Sequence, residues 1–164
     1  MELPSNYYFE DLNPEVEASV KRCIAALEML GAQAVAISLP IMKYAGTARI
    51  TAMSDAVVTH EPYLRSKRKE YGPDVLYRTL GGQFVPGHHY SKAMITQRLI
   101  QEEYARERQR VDFMLTPTSP IFAPSIDAPY VQHGGKLHRF RGPGSGPISR
   151  NTSQFNTTGR PEIT

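Results

Sequence analysis

Apolar residues recur at spacings of three and four from Val16 through Val20 and Ile24 to Leu27, the mark of one helix face. Asn13-Pro14-Glu15 opens that run. An asparagine there accepts a backbone N–H as the cap, and the proline sits where no helical donor is lost. Gly31 supplies the left-handed residue that closes a last turn. The pattern predicts a helix over residues 14–30 with Ile24 and Leu27 on its buried face. Ala34 to Leu39 is short, partly β-branched and stopped by Pro40, and it predicts a buried strand. Only Ala32 and Gln33 join the two, so they make an α/β unit.

Residues 41–60 are helix-like from Ile41 through Met53 and Val58, and Glu61-Pro62 is expected to break or kink that run. Tyr71-Gly72-Pro73-Asp74 predicts a turn, followed by a short helix near Val75 to Leu80 and a second turn at Gly81-Gly82. A second long helix is predicted over residues 87–110. Its apolar positions are Tyr90, Ala93, Ile100 and Tyr104, and its C-terminal half is charged. Asp112 to Leu115 reads as a short strand ended by Thr116-Pro117-Thr118-Ser119-Pro120. Residues 121–148 hold four prolines and five glycines and read as one long loop. A last helical turn or two falls between Ser149 and Thr158, closed by Gly159 and Pro161, and a strand is expected to start at Ile163-Thr164. No internal repeat is visible.

Composition narrows the class without naming a chemistry. The chain has 164 residues, with 40% hydrophobic and 21% charged, which suits a globular domain. A formal net charge of +3 is too small to argue for nucleic acid. The basic run Arg65 to Lys69 reads as a solvated helix end; a basic binding module built from it and Arg139 to Arg141 is the weaker reading. Cys23 is the only cysteine, so no internal disulfide is possible, which favours a reducing compartment. No apolar run approaches the roughly 20 residues of a membrane helix. The N-terminus MELPSNYYFEDL lacks the pattern of a signal peptide, and a cytoplasmic location is expected.

Individual candidates for chemistry weigh towards structural roles. Gly142 to Pro147 has the look of a nucleophile loop around Ser145, but Pro143 and Pro147 remove donors an oxyanion hole would need. Ser119 reads as a turn-forming hydroxyl. His88-His89 point differently on a helix, and His133 and His138 lie in a Gly-rich loop without a cysteine or acid at ligand spacing. No metal or other cofactor is expected. Asp112 suits local hydrogen bonding at a strand start. Glu102 and Glu103, adjacent in sequence, face apart on a helix and make a poor acid/base pair.

Three stretches, in order, carry a resemblance. Residues 4–40 (PSNYYFEDLNPEVEASVKRCIAALEMLGAQAVAISLP), residues 90–120 (YSKAMITQRLIQEEYARERQRVDFMLTPTSP) and residues 149–164 (SRNTSQFNTTGRPEIT) resemble consecutive parts of the amidase-signature family. The resemblance implies an α/β fold, a mixed sheet with helices packed around it, of which this helix-rich segment is part. It makes residues 1–164 a single incomplete domain. Family members hydrolyse or transfer amides with two serines and a lysine, carried by a Gly- and Ser-rich stretch that precedes the part matched here. No catalytic residue is therefore carried over.

What remains by resemblance is a pocket wall: Thr152, Phe155 and Asn156 lie in the element that borders the family's pocket. Gln97 stands where the branch acting on aminoacyl-tRNA places a carboxylate-binding arginine. A neutral glutamine cannot make that charge-assisted pair, and Arg98 points about 100° round the helix. This favours a small uncharged amide as substrate; the plainer reading is that Gln97 faces solvent. The function implied is that of a segment of an amidase hydrolysing carboxamide C–N bonds, inactive by itself. The alternative is a non-catalytic remnant or split subunit, including one of a tRNA-linked amidotransferase, that needs a complementing chain. A homo-oligomer is a further expectation; a membrane or nucleic-acid partner is not.

Overall fold

The computed structural model describes residues 1–139, 149–159, 161 and 163. It is an α/β structure in which helices dominate and the strands are short. Helix α1 (Pro14–Met29) starts as its sequence dictates: Asn13 Oδ1 accepts from the Glu15 N–H at 2.9 Å. At its far end Gly31 adopts φ 96°, and the Gly31 and Ala32 N–H groups donate to the carbonyls of Glu28 and Leu27. That is a left-handed cap with both returning bonds made. The apolar stripe does not follow expectation. Val16, Val20, Ile24 and Leu27 are only half-buried, and no residue of α1 is buried. Periodicity marks the face that could be covered, and within this chain little covers it. Leu27→Ala should therefore lower stability by less than about 1 kcal/mol rather than the 2–5 kcal/mol of a buried leucine. A urea midpoint shifted by the larger amount would show that this face is packed.

The strand expected over residues 34–39 shrinks to β2 (Val35–Ile37), and it is not buried throughout: Val35 and Ala36 are exposed, while Ile37 and Leu39 are buried. Its partner, β1 (Glu2–Pro4), runs parallel to it, with Glu2 opposite Val35 and Pro4 opposite Ile37. The expected strand at residues 112–115 contracts to a single parallel bridge between Glu2 and Met114. The Glu2 N–H donates to the Phe113 carbonyl at 2.9 Å and the Leu115 N–H to the Glu2 carbonyl at 3.0 Å. Glu2 is thus the middle rung of a narrow three-segment ladder.

A tight 3₁₀ turn, Pro40–Tyr44, leads into α2 (Ala45–Ser66). The expected break at Pro62 does not occur; the helix continues through it. Proline costs the Val58 carbonyl its helical donor, but Val58 lies 73% exposed, where water substitutes. The last turn still closes, with the Lys67 N–H on the Tyr63 carbonyl at 2.7 Å. Arg65 pairs with Glu61 on the exposed helix end, so the basic run begins as a solvated helix terminus. Helix α3 (Pro73–Gly81) turns back at Gly82, which rests against α2. A Cβ on Gly82 would come within 2.1 Å of the Met53 carbonyl oxygen, so only glycine permits that approach.

Helix α4 (Gly87–Glu107) packs along α2 and buries Ala93, Ile100 and Tyr104. The core lies between them: Tyr8, Ile37, Leu39, Met42, Ala45, Ala48, Ile100 and Tyr104 form one cluster. The alanines let the helices approach, and Tyr8 and Tyr104 join through their hydroxyls inside the apolar packing. The predicted loop 121–148 is corrected in its middle. Strands β3 (Tyr130–His133) and β4 (Lys136–Arg139) form an antiparallel hairpin about Gly134-Gly135. Both glycines have positive φ, 55° and 69°, as the favoured two-residue hairpin turn requires. Helix α5 (Ser153–Thr158) is closed by left-handed Gly159 as expected. Ile163 lies in no strand and is fully exposed, and Thr164 lies outside the described residues. Among the described residues no helix is long and apolar enough to cross a membrane.

Candidate functional site

A cleft of about 390 Å³ opens between the extended run 111–118 and the segment that leads into α5. Its lining includes Glu2, Tyr104, Asp112, Thr116, Asn151 and Phe155. The ladder rung at Glu2 fixes one wall. The Thr-Pro-Thr-Ser-Pro turn fixes its end: the Ile121 N–H donates to Ser119 Oγ at 3.3 Å, and the Asn13 N–H donates to the Pro120 carbonyl at 2.8 Å. Ser119 is thus the turn former its sequence suggested.

The opposite wall is held by contacts across nearly the whole chain. Asn151 is buried, and its Nδ2 donates to the Pro117 carbonyl at 2.7 Å and the Tyr8 carbonyl at 3.2 Å. Arg150 pairs with Glu10 at 2.6 Å and lies over the Tyr7 ring at 4.3 Å. Gln154 Nε2 donates to the Tyr7 hydroxyl at 2.9 Å, and that hydroxyl donates to the Arg150 carbonyl at 3.2 Å. Tyr7 and Asp11 adopt φ of 67° and 55°, a region that non-glycine residues rarely enter. This knot of bonds holds the turn there. The Tyr7 N–H and then the Arg150 guanidinium hold the Glu10 carboxyl below the usual range.

Burial is the largest cause of the shift at Tyr104, Tyr7, Glu2 and His133. It pushes the Tyr104 and Tyr7 hydroxyls up. It raises the Glu2 carboxyl, with the Glu107 charge adding to the effect, while the N-terminal ammonium and Arg110 oppose it. Burial also lowers the His133 imidazole.

The residues singled out by sequence fall in different places. Thr152 and Phe155 line the cleft. Asn156, next along α5, is exposed and does not line it. Gln97 sits on α4 away from the cleft and is not simply solvent-facing. Its Nε2 donates to the Thr157 carbonyl at 2.9 Å and its Oε1 accepts from Thr51 Oγ1 at 3.3 Å, so it ties α2, α4 and α5 together. Gln101 Nε2 adds a second bond to the same carbonyl at 3.2 Å. Arg98 pairs with Glu102 on the exposed face, while Glu103 turns to the Ile41 N–H. His138 meets the His133 carbonyl at 3.2 Å, and among the described residues no group of three or more histidine, cysteine or acidic side chains could hold a metal. The loop around Ser145 lies outside the described residues. Glu2, Glu10, Arg150 and Asn151 escaped the sequence reading, because each finds its partner far along the chain.

Comparison with known proteins places this geometry. The family model described as Amidase matches residues 3–140. The chain is similar to a glutamyl-tRNA(Gln) amidotransferase subunit of Myxococcus xanthus, 32% identical over 144 residues, covering 73% of this chain and 30% of the relative. It is similar to an amidase of Pseudomonas putida, 29% identical over 169 aligned positions, covering 98% of this chain and 34% of the relative. A solved amidase crystal structure shares its fold with a TM-score of 0.79 at 21% identity, over 97% of this chain and 36% of that one. The chain spans about a third of the length of the proteins it matches.

Proposed function

Because this chain belongs to the amidase family, we propose that it supplies the helical layer and one wall of the substrate pocket of an enzyme that hydrolyses carboxamide C–N bonds. The observation that carries this is the family match over residues 3–140 joined to a cleft walled by Thr152 and Phe155. The substrate is a small amide, and the enzyme works in the cytoplasm. By itself the chain is inactive, because amide hydrolysis needs an activated nucleophile. The hydroxyls of Ser5, Ser66, Ser91 and Ser153 donate to backbone carbonyls instead.

A second reading is a split subunit that works only with a complementing chain. It is favoured by the length relation: relatives three times as long include subunits of glutamyl-tRNA(Gln) amidotransferases. Gln97, bound within the helical layer, argues against recognition of a charged aminoacyl group through that position. The purified chain is expected to show no turnover of simple aliphatic and aromatic amides above the buffer rate. Ammonia release that disappears in Ser145→Ala would sink the proposal that the chain lacks its own nucleophile.

A further inference from the structure

The β3–β4 hairpin has a covered side and an open side. In its register Val131 stands opposite His138, and His133 opposite Lys136. Residues directly opposite each other share a face, so Val131, His133, Lys136 and His138 form one side. That side is the covered one: Val131 is buried and both histidines are half-buried, while Lys136, beside the turn, stays exposed. Tyr130, Gln132, Leu137 and Arg139, on the other side, are all exposed. The hairpin turn meets the N-terminal turn that carries Asp11. A Cβ built on Gly134 would lie 3.1 Å from Asp11 Oδ2.

His133 holds a place on that side that suits only an uncharged ring. Its Nε2 is shut off from water and has no hydrogen-bond partner among the described residues. His138 Nε2 donates to the His133 carbonyl at 3.2 Å, and the two rings lie 5.9 Å apart. A neutral imidazole can leave Nε2 as a bare acceptor. A protonated one makes it a charged N–H with no acceptor, and an unmade bond to a charged group costs more than one to a neutral group. The surrounding charges add to this cost. Lys136 stands directly opposite, where like charges weaken pairing. His138 and Arg150 also disfavour a charge on His133, and Asp11 favours it. Glu10, beside Asp11 in the same turn, is taken up by Arg150 at 2.6 Å.

We propose that the β3–β4 hairpin is a pH-released flap, docked on the Asp11 turn while His133 is neutral and let go when His133 takes up a proton. In the docked hairpin burial is the largest influence on the His133 imidazole and lowers it; Arg150 and His138 act in the same direction and outweigh Asp11. In the released hairpin the ring is solvated and returns to the ordinary histidine range, near about 6.5. The docked state therefore binds the proton less well. Docking is at full strength above that ordinary value and weakens as pH falls from there through the lowered one. Nothing in this device depends on catalysis, so it stands or falls apart from the amidase reading.

The test reads the contact itself in the isotopically labelled 164-residue chain. A nuclear Overhauser contact between the Gly134 α-protons and the Asp11 β-protons should be present at about pH 8 and lost at about pH 5. The Val131 methyl signals should move towards their unfolded positions over the same range, while those of Ala48 and Ile100 stay in place. His133→Gln cannot take the proton and should keep the contact at the lower pH. His138→Gln should still lose it. Lys136→Gln removes the cation opposite His133 and should retain part of the contact after acidification. A contact equally strong at both pH values, one that strengthens on acidification, or one that His133→Gln loses as the parent does would each overturn the proposal. So would a loss abolished by His138→Gln, or a chain with no such contact at about pH 8. If His133→Gln does not dock at either pH, Lys136→Gln decides: a reduced acid loss upholds the flap, and an unchanged one overturns it.

Discussion

Ile100→Ala is expected to lower the stability of the isolated chain by about 2–5 kcal/mol. Ile100 is wholly buried near the middle of α4, in the cluster with Met42, Ala45, Ala48 and Tyr104. Removing its outer carbons forfeits transfer energy and leaves a cavity, together about 2–5 kcal/mol. Among the described residues the cluster has eight buried members, two of them alanines. Its neighbours cannot collapse easily into the gap, because Ala45 and Ala48 are short and Tyr104 is tied to Tyr8. A chain with so small a centre stands at the low end of the roughly 5–15 kcal/mol typical of domains, so this one loss consumes most of the margin. Ile95→Ala is the control: it lies on the same helix, is 61% exposed, and should change stability by less than about 0.5 kcal/mol. Urea melts followed by far-ultraviolet circular dichroism distinguish the two. If both variants melt with the parent, α2 and α4 do not pack as described.

The contrast between α1 and α4 shows what the amino-acid order conveys. Both helices announce themselves, because caps and periodicity are local: Asn13, Pro14 and Gly31 act within one turn of themselves. Which face ends up covered is a question about the rest of the molecule. Ala93, Ile100 and Tyr104 meet α2 and the core, whereas Ile24 and Leu27 meet little within this chain and stay half-exposed. Strand β1 was invisible for a related reason. Its inward residues are Glu2 and Pro4, and no pattern rule places a buried carboxylate in a ladder. The β3–β4 hairpin was readable in principle, since Gly134-Gly135 between two short runs is a hairpin signal. The prolines on both sides hid it behind a compositional reading.

The site divides along the same line. Thr152 and Phe155 came from the resemblance of residues 149–164 to a pocket-bordering element; both stand in the lining of the cleft, and their part in a substrate pocket is the proposal made above. Asn156 sits one step further round the helix and is exposed; resemblance transfers a segment, not the direction of each side chain. Gln97 could be compared only with an arginine it replaces. Its bonds to Thr51 and Thr157 join three helices whose packing no local rule supplies. The Glu10–Arg150 and Tyr8–Asn151 contacts are separated by 140 and 143 residues, a range over which spacing carries no information.

Amide hydrogen exchange on the isolated, monomeric chain is expected to divide it in two. Outside the three residue pairs of β1 and β2, the ladder rests on few bonds: the Glu2 N–H to Phe113, the Val35 N–H to Met1, the Leu115 N–H to Glu2 and the Ser5 N–H to Ile37. Val35 is 47% exposed and Phe113 42%, so the ladder has little apolar cover on one side. The single bridge at Met114 leaves the outer edge of residues 112–115 open, the arrangement that invites pairing with another strand. Opening such a ladder exposes little that was buried, so it should cost little. The facing stretches of α2 and α4 are different: Ala48, Thr51, Ala93 and Ile100 are buried, and freeing their amides means separating the helices. Local stability tracks this difference in burial. We expect the ladder amides to exchange at least about a hundredfold faster than those near Ala48 and Ile100, a gap of roughly 3 kcal/mol in opening free energy. The α1 amides should fall between, held by good caps but by little packing. Slow exchange near the global limit in both β1 and β2 would mean that the chain is a self-sufficient domain. The proposal that it is one part of a larger amidase would then have to be given up.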